Sequence, residues 1–292
     1  MDLLARLTLY SLDGFVFGWL LALIALGLSL IFGLLFIINV AHGSLYMLGA
    51  VGAWFVADRV VQAPGSFWWA VLLVPVVIGL VGALVERVIL RPLLERPVMT
   101  ILSTFGLMLI FEHFILSQVG ASPRMVKYPI QGSVTLMGFQ YSVYRLFMAG
   151  LAIGVIAGLW VFLHHTRYGM WVRAVRQNKE LALTDGIPVG GVYTFAFALG
   201  AALAALSGVL ASPIVAVSHA MGMNVLIPSF ILVIVGGMGD LKGALVVAFI
   251  FQELEGLGTL VLDPTYAKAL ALLVVTTLLF FRPYGVLVSG RS

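Results

Sequence analysis

RYGMWVRAVRQNKELALTDGIPVGGVYTFAFALGAALAALSGVL, residues Arg167 to Leu210, sets a polar stretch directly against an apolar one. Arg167, Arg173, Arg176 and Lys179 fall within thirteen residues, the densest basic run in the chain. Past Asp185 come 54 residues, Gly186 to Gly239, without Asp, Glu, Lys or Arg. A crossing of the hydrocarbon layer takes about 20 apolar residues, so that run holds two. The polar stretch before it must lie in water at one membrane face.

The composition agrees. Of the 292 residues 62% are hydrophobic and 10% charged, against roughly 25% charged in soluble domains. The mean hydropathy is +1.14. This leaves too little polar surface to cover a soluble core, and the class is an all-α polytopic membrane protein. The apolar runs are continuous rather than alternating, which excludes a β-barrel. Cysteine is absent, and with it disulfides, thiolate nucleophiles and Cys-based metal sites. The pI near 9.5 reflects basic residues in loops between apolar runs, a positive-inside pattern rather than a nucleic-acid surface. The opening MDLLARLTLY lacks a basic n-region and a small-residue cleavage site, so no cleaved signal peptide is read.

Nine crossings are expected, at about 15–38, 41–57, 67–85, 100–118, 143–163, 192–217, 224–237, 243–262 and 264–281, within a range of eight to ten. The polar stretch from Pro123 to Tyr141 reads as an exposed loop with a short β-ribbon. Arg87, Arg91 and Arg96 mark one basic loop, Arg167 to Lys179 a second, and Arg282 with Arg291 the tail. Even numbers of spans separate them, so all three face the cytoplasm and the N-terminus lies outside. A single permease domain over 1–292 follows, with halves of about 1–165 and 189–292 either side of a loop at about 166–188.

Two polar-glycine breaks interrupt the apolar runs. Asn39-Val40-Ala41-His42-Gly43 stands in the first half and Gly236-Gly237-Met238-Gly239-Asp240 in the second, each followed by a small-residue run. Corresponding interrupted helices point to an internal pseudo-repeat with a pathway at the breaks. Asn39 and His42 stand within 44 residues lacking Asp, Glu, Lys and Arg. Either they line a pathway or they hold the bundle together by interhelical hydrogen bonds. The histidines at 42, 113, 164, 165 and 219 show no metal-ligand spacing. Glu112, Glu253 and Glu255 are read near helix ends, where snorkelling or ion pairing explains them. No G-x-x-x-x-G-K-[ST] loop occurs, so if transport is ATP-driven another chain binds the nucleotide.

In the polar loop, 171–183 reads as one short helix with Arg173, Arg176 and Glu180 on one face, stopped by Asp185-Gly186-Ile187-Pro188 with Gly186 at C′. Such a helix either lies in a groove on a partner or rests on the membrane surface.

The residues GMWVRAVRQNKELALTDGI, 169 to 187, resemble the coupling loop of the branched-chain amino acid permease family of ABC importers, the LivH/LivM-like proteins. ALGLSLIFG (25 to 33) with INVAHG (38 to 43) resembles the first helices of that family, the LivH branch especially. VGGMGDLKGA (235 to 244) and LFFRPYG (279 to 285) resemble its closing segments. Ser44 stands where an acidic residue is frequent, and Asp240-Leu241-Lys242 is more charged than the usual turn.

The resemblance implies a BtuC-like, type II importer fold in a bacterial inner membrane. It implies a second, LivM-like permease, two cytoplasmic LivG/LivF-like ATPases that bind ATP and Mg, and a periplasmic binding protein that carries most of the specificity. Asn39, His42, Gly43, Gly236, Gly237 and Asp240 would line the path, and Arg173, Arg176, Glu180 and Gly186 would serve ATPase coupling. No cofactor is implied in this chain and no enzymatic activity. Branched-chain or other neutral amino acids are the implied cargo. Urea, short amides or aromatic acids are alternatives within the family, and a stand-alone secondary transporter or channel is the alternative outside it.

Overall fold

In hydrocarbon every backbone polar group must be satisfied within the protein, and continuous apolar runs meet that demand as helices. The computed structural model describes residues 3–60, 65–136, 138–281 and 285. α1 (Leu3–Leu35), α2 (His42–Phe55), α3 (Ser66–Val85), α4 (Pro97–Val119) and α5 (Val143–His165) precede the basic loop. The loop itself forms α6 (Arg167–Gln177) and α7 (Lys179–Thr184). α8 (Val189–Ala211), α9 (Met221–Gly236), α10 (Leu241–Gly258) and α11 (Pro264–Phe281) follow. The strands β1 (Ser133–Leu136) and β2 (Phe139–Ser142) pair antiparallel, the ribbon expected between α4 and α5.

Nine of these helices match the nine expected spans. Six, α1, α3, α4, α5, α8 and α11, are long and apolar enough to cross a membrane. α2 and α9 are short, and α10 carries Lys242, Glu253 and Glu255 in its 18 residues.

One face of the bundle carries the ribbon and the other the basic loops. Asp13 in α1 belongs to the ribbon face. Its Oδ1 accepts from the Tyr141 hydroxyl at 2.8 Å and pairs with Arg145 at 2.5 Å. Burial first, and then the bond to Asp13, push the Tyr141 phenol well above its ordinary range, so it remains a donor. At the other end of α1, Gly33 abuts Gly239. The first basic loop reaches this same face. Arg91 forms a bidentate pair with buried Glu86 and donates to Gly190 and Thr194 at the start of α8. Gly285 packs on Gly237 there. The remainder of the basic tail, including Arg282 and Arg291, lies outside the described residues.

Three boundaries differ from the sequence expectation. α1 starts at Leu3 rather than near 15, because the charge of Asp13 is paired. It stops at Leu35, because Phe36 takes a left-handed backbone (φ 54). The helix expected over 192–217 ends at Ala211, next to Ser212-Pro213. The largest correction falls in the basic loop, where one helix over 171–183 is replaced by two. The side chain of Asn178 accepts from the backbone of Glu180 and Leu181 and starts α7 afresh, with extended dihedrals of −156° and 108°. Arg173 and Arg176 therefore do not share a helix face with Glu180.

The core is formed by α1 and α8, the most enclosed of the long helices. They cross at Gly27 and Gly200, where a Cβ on either residue would lie 2.6 Å from the carbonyl oxygen of the other. Only glycine permits that approach. α1 packs most extensively on α10, and α8 on α3.

Candidate functional site

The centre of the molecule is a junction of two broken helices. α1 runs from the ribbon face to the basic face. Residues 36–41 then return without helical structure, and α2 begins in mid-bundle. His42 marks the depth: its Nε2 lies 3.1 Å from the carbonyl oxygen of Ile24, about two-thirds of the way along α1 and eleven residues from its end. A carbonyl only accepts, so Nε2 carries the proton. α2 continues to the ribbon face, where Trp54 lies under the Arg124 guanidinium at 5.3 Å.

The second half repeats this arrangement upside down. α8 runs from the basic face to the ribbon face, where the Tyr144 hydroxyl donates to the Leu210 carbonyl at 2.7 Å. Residues 212–220 return without helix, bridged to Arg124 through Val217. α9 then begins in mid-bundle and continues to the basic face. The two starts touch: a Cβ on Gly222 would lie 2.6 Å from the Gly43 carbonyl oxygen.

The two polar-glycine breaks of the sequence are not counterparts. The counterpart of Asn39–Gly43 is the segment ending at Met221-Gly222, whereas Gly236, Gly237 and Asp240 form the α9–α10 turn at the basic face. Gly236 packs against Gly243 and Ala244, and Asp240 Oδ1 caps α10 by accepting from the Lys242 backbone at 3.0 Å. The structure thus brings Asn39, His42 and Gly43 together at mid-depth and sets Gly236, Gly237 and Asp240 apart from them. The signal for the true partner was weak, because Ser218-His219-Ala220-Met221-Gly222 contains no charge to mark it.

The first break is held from α4. The Val40 amide donates to Thr104 Oγ1 at 3.2 Å, and the same hydroxyl lies 3.3 Å from the Ile38 carbonyl. Freed backbone groups are thereby satisfied. The side chains are not. Asn39 is fully buried, yet its Oδ1 and Nδ2 have no hydrogen-bond partner among the described residues, nor has His42 Nδ1. Buried polar groups rarely go unpartnered. Moreover, among the described residues neither α2 nor α9 has a side-chain cap, so no side-chain oxygen offsets the partial positive charge of either N-terminus.

On the ribbon side of the junction lies a cavity of about 230 Å³. Leu20, Ile24, Val225 and Phe251 give it an apolar wall, and Met221 belongs to its lining. Glu255 and Lys268 also line it without a direct ion pair. Glu255 is hydrogen-bonded to Gln252, and Lys268 donates to the Asn224 carbonyl at 2.7 Å. Sequence reading dismissed Glu255 as a helix-end carboxylate and passed over Lys268. Only the packing of α9, α10 and α11 brings them to one cavity.

On the basic face, Glu180 and Gly186 are exposed on and just after α7, together with Leu181 and Leu183. Gly186 has φ +76, as expected of the C′ residue. Arg173 and Arg176 lie elsewhere, Arg173 donating to the Leu163 carbonyl of α5 and Arg176 beside Gly239.

Broken helices meeting in the centre of a helical bundle, with a cavity on one side, define a membrane transport permease. The chain belongs to the family described as branched-chain amino acid transport system / permease component, whose model matches residues 10–281. It is 25% identical over 288 residues to the high-affinity branched-chain amino acid transport system permease protein BraD of Pseudomonas aeruginosa, covering 94% of each chain. It is 25% identical over 297 residues to the corresponding permease protein LivH of Escherichia coli, covering 94% of this chain and 93% of that one. A probable branched-chain amino acid transport permease protein LivH of Methanocaldococcus jannaschii is 28% identical over 289 residues, covering 93% and 89%. No solved structure matches the chain.

Proposed function

We propose that this chain is the permease subunit of an ATP-driven importer of neutral amino acids with aliphatic side chains. The observation that carries the reading is the outer cavity over the junction. Its apolar wall suits a branched side chain, while one fixed anion and one fixed cation suit the two ends of a zwitterion. The cargo passes from this cavity to the junction, where Asn39, His42 and the N-termini of α2 and α9 offer polar contacts at mid-depth. It leaves past the α9–α10 turn, Gly236, Gly237 and Asp240. The basic face is cytoplasmic, and the ribbon face receives cargo from a periplasmic binding protein.

The chain has no phosphate-binding loop, so two partner ATPases hold ATP and Mg. They dock on α7 at Glu180 and Gly186, with Arg173 and Arg176 tying the docking loop to the bundle. A second, LivM-like permease completes the path. The outward face of α5 suits that partner. Gly150, Gly154 and Gly158 form an exposed stripe at i, i+4 and i+8, and no atom lies within 4 Å of a Cβ position on any of them.

Reconstitution decides between this and a stand-alone carrier or channel. Liposomes holding both permeases, both ATPases and the binding protein are expected to accumulate leucine only with ATP. Uptake by this chain alone, without ATP, would overturn the proposal.

A further inference from the structure

A second cavity, of about 180 Å³, opens at the basic face between the ends of α1, α5, α6 and α10. Arg173, Arg176 and Lys242 line it. Among the described residues none of the three has a carboxylate within 4 Å. The one carboxylate in the lining, Asp240, is engaged in capping α10. At the mouth, Lys242 Nζ stands 4.9 Å from the centre of the Trp160 ring, which stacks on His164 at 4.0 Å. At the inner end the Ser29 hydroxyl is fully buried and has no hydrogen-bond partner among the described residues, and it belongs to the same lining.

Each feature has its own physical demand. Three fixed cations against one engaged carboxylate leave an unneutralised positive field, which an anion relieves. The orphaned hydroxyl supplies a donor to that anion. Leu30 and Leu34 line the cavity beside these groups, so the occupant has an apolar part continuous with its charge. Trp160 lines the cavity and is exposed on α5. A tryptophan at that level and an ammonium over its ring are the membrane-interface arrangement. We infer that this cavity holds the phosphodiester headgroup of an anionic phospholipid from the adjoining leaflet, with Arg173, Arg176 and Lys242 on the phosphate and Ser29 as a further donor. The assignment shares Arg173, Arg176 and the Asp240 turn with the proposed coupling loop and exit but does not rest on either reading. It places a lipid at the corner where α6 joins the bundle, so that leaflet composition acts on the posture of α6.

Native mass spectrometry of the full chain, released from mild detergent with added phosphatidylglycerol or phosphatidylcholine, tests this. Wild type is expected to retain one phosphatidylglycerol at concentrations where phosphatidylcholine is not retained. The triple variant Arg173→Gln/Arg176→Gln/Lys242→Gln is expected to weaken retention at least tenfold, and Ser29→Ala a few-fold. Should the triple variant fail to fold, Lys242→Gln alone, at an exposed position, is expected to weaken retention several-fold. Equal retention of the two lipids, or retention unchanged in the variants, overturns the inference. Displacement by millimolar inorganic phosphate would mean a free-anion site and also overturns it. So does loss of ATPase co-purification in the variants with lipid retention unchanged, which would make the cluster a protein-docking surface.

Discussion

Gly43 and Gly222 meet backbone to backbone where α2 and α9 begin, leaving 2.6 Å between a Cβ on Gly222 and the Gly43 carbonyl oxygen. The obstructing atom is backbone, so an alanine there can be accommodated only by moving the two helices apart. Overpacking of this kind costs about 1–3 kcal/mol. Gly222→Ala is expected to lower the thermal midpoint of the purified protein and to reduce uptake strongly. Gly106→Ala, where no atom lies within 4 Å of the added methyl, is expected to change neither. A thermal midpoint and uptake unaltered in Gly222→Ala would show that the junction is loose.

Asn39 and His42 separate a path from a mere fastening. If their unpartnered atoms serve a passing solute, Asn39→Leu is expected to cut uptake at least tenfold while expression and complex assembly are kept. The Leu variant removes two orphaned polar atoms from a fully buried site, so the fold loses nothing by it. His42→Leu also removes the bond to Ile24 and is expected to cost about 1 kcal/mol of stability besides. Loss of expression in Asn39→Leu would assign Asn39 to holding the break.

Much of this was legible in the sequence. Nine helices and a ribbon can be read off because hydrocarbon leaves the backbone few alternatives, and the polar and glycine breaks divide the apolar runs where length alone does not. Asn39 and His42 stood out for the same reason, as polar residues in a long uncharged run. What stayed hidden depends on tertiary placement. The inverted partner of His42-Gly43 is Met221-Gly222, and nothing in those two residues advertises it. A single helix over 171–183 was a fair reading of periodicity, but the Asn178 cap overrode it. Glu255 and Lys268, thirteen positions apart, lie on different helices and acquire meaning only through the cavity they share.

Glu86 is buried beneath the basic face, and its carboxylate is held by Arg91 and Thr194, Arg91 at 2.9 Å and Thr194 at 2.8 Å. This ties α3 to α8 immediately after the loop that carries α6 and α7. Breaking a buried pair by removing one partner costs about 3–5 kcal/mol, because the other charge is left uncompensated. Arg91→Met is therefore expected to lower the thermal midpoint sharply, and Glu86→Gln/Arg91→Met to recover most of the loss. Additive losses in the double variant, measured by thermal unfolding, would show that the two charges act independently.

On α7, Glu180 projects from an exposed turn, and Gly186 holds a left-handed backbone just beyond it. A β-branched residue at φ +76 is strained, so Gly186→Val displaces the end of α7, and no atom lies within 4 Å of the added Cβ. Glu180→Ala/Gly186→Val is expected to leave the complex assembled and hydrolysing ATP while uptake per ATP falls at least tenfold. An unchanged ratio of uptake to hydrolysis in reconstituted vesicles would remove α7 from the coupling.

Glu255 and Lys268 line one cavity without a direct ion pair, and in the proposed function they select a solute that carries both charges. Taken separately, each attracts an ion of one sign; together, and not paired to each other, they favour a molecule that presents an ammonium and a carboxylate at once. Lys268→Gln leaves Glu255 as a lone anion, so it is expected to weaken uptake of leucine and to favour leucinamide, which keeps the ammonium and lacks the carboxylate. Glu255→Gln leaves Lys268 as a lone cation and is expected to favour 4-methylpentanoate, which keeps only the carboxylate. Competition for radiolabelled leucine uptake in reconstituted vesicles measures both, as the ratio of inhibition by the two analogues. That ratio is expected to move in opposite directions in the two variants. Identical competition profiles in wild type and both variants would remove the charges from recognition and leave the apolar wall alone to select the cargo.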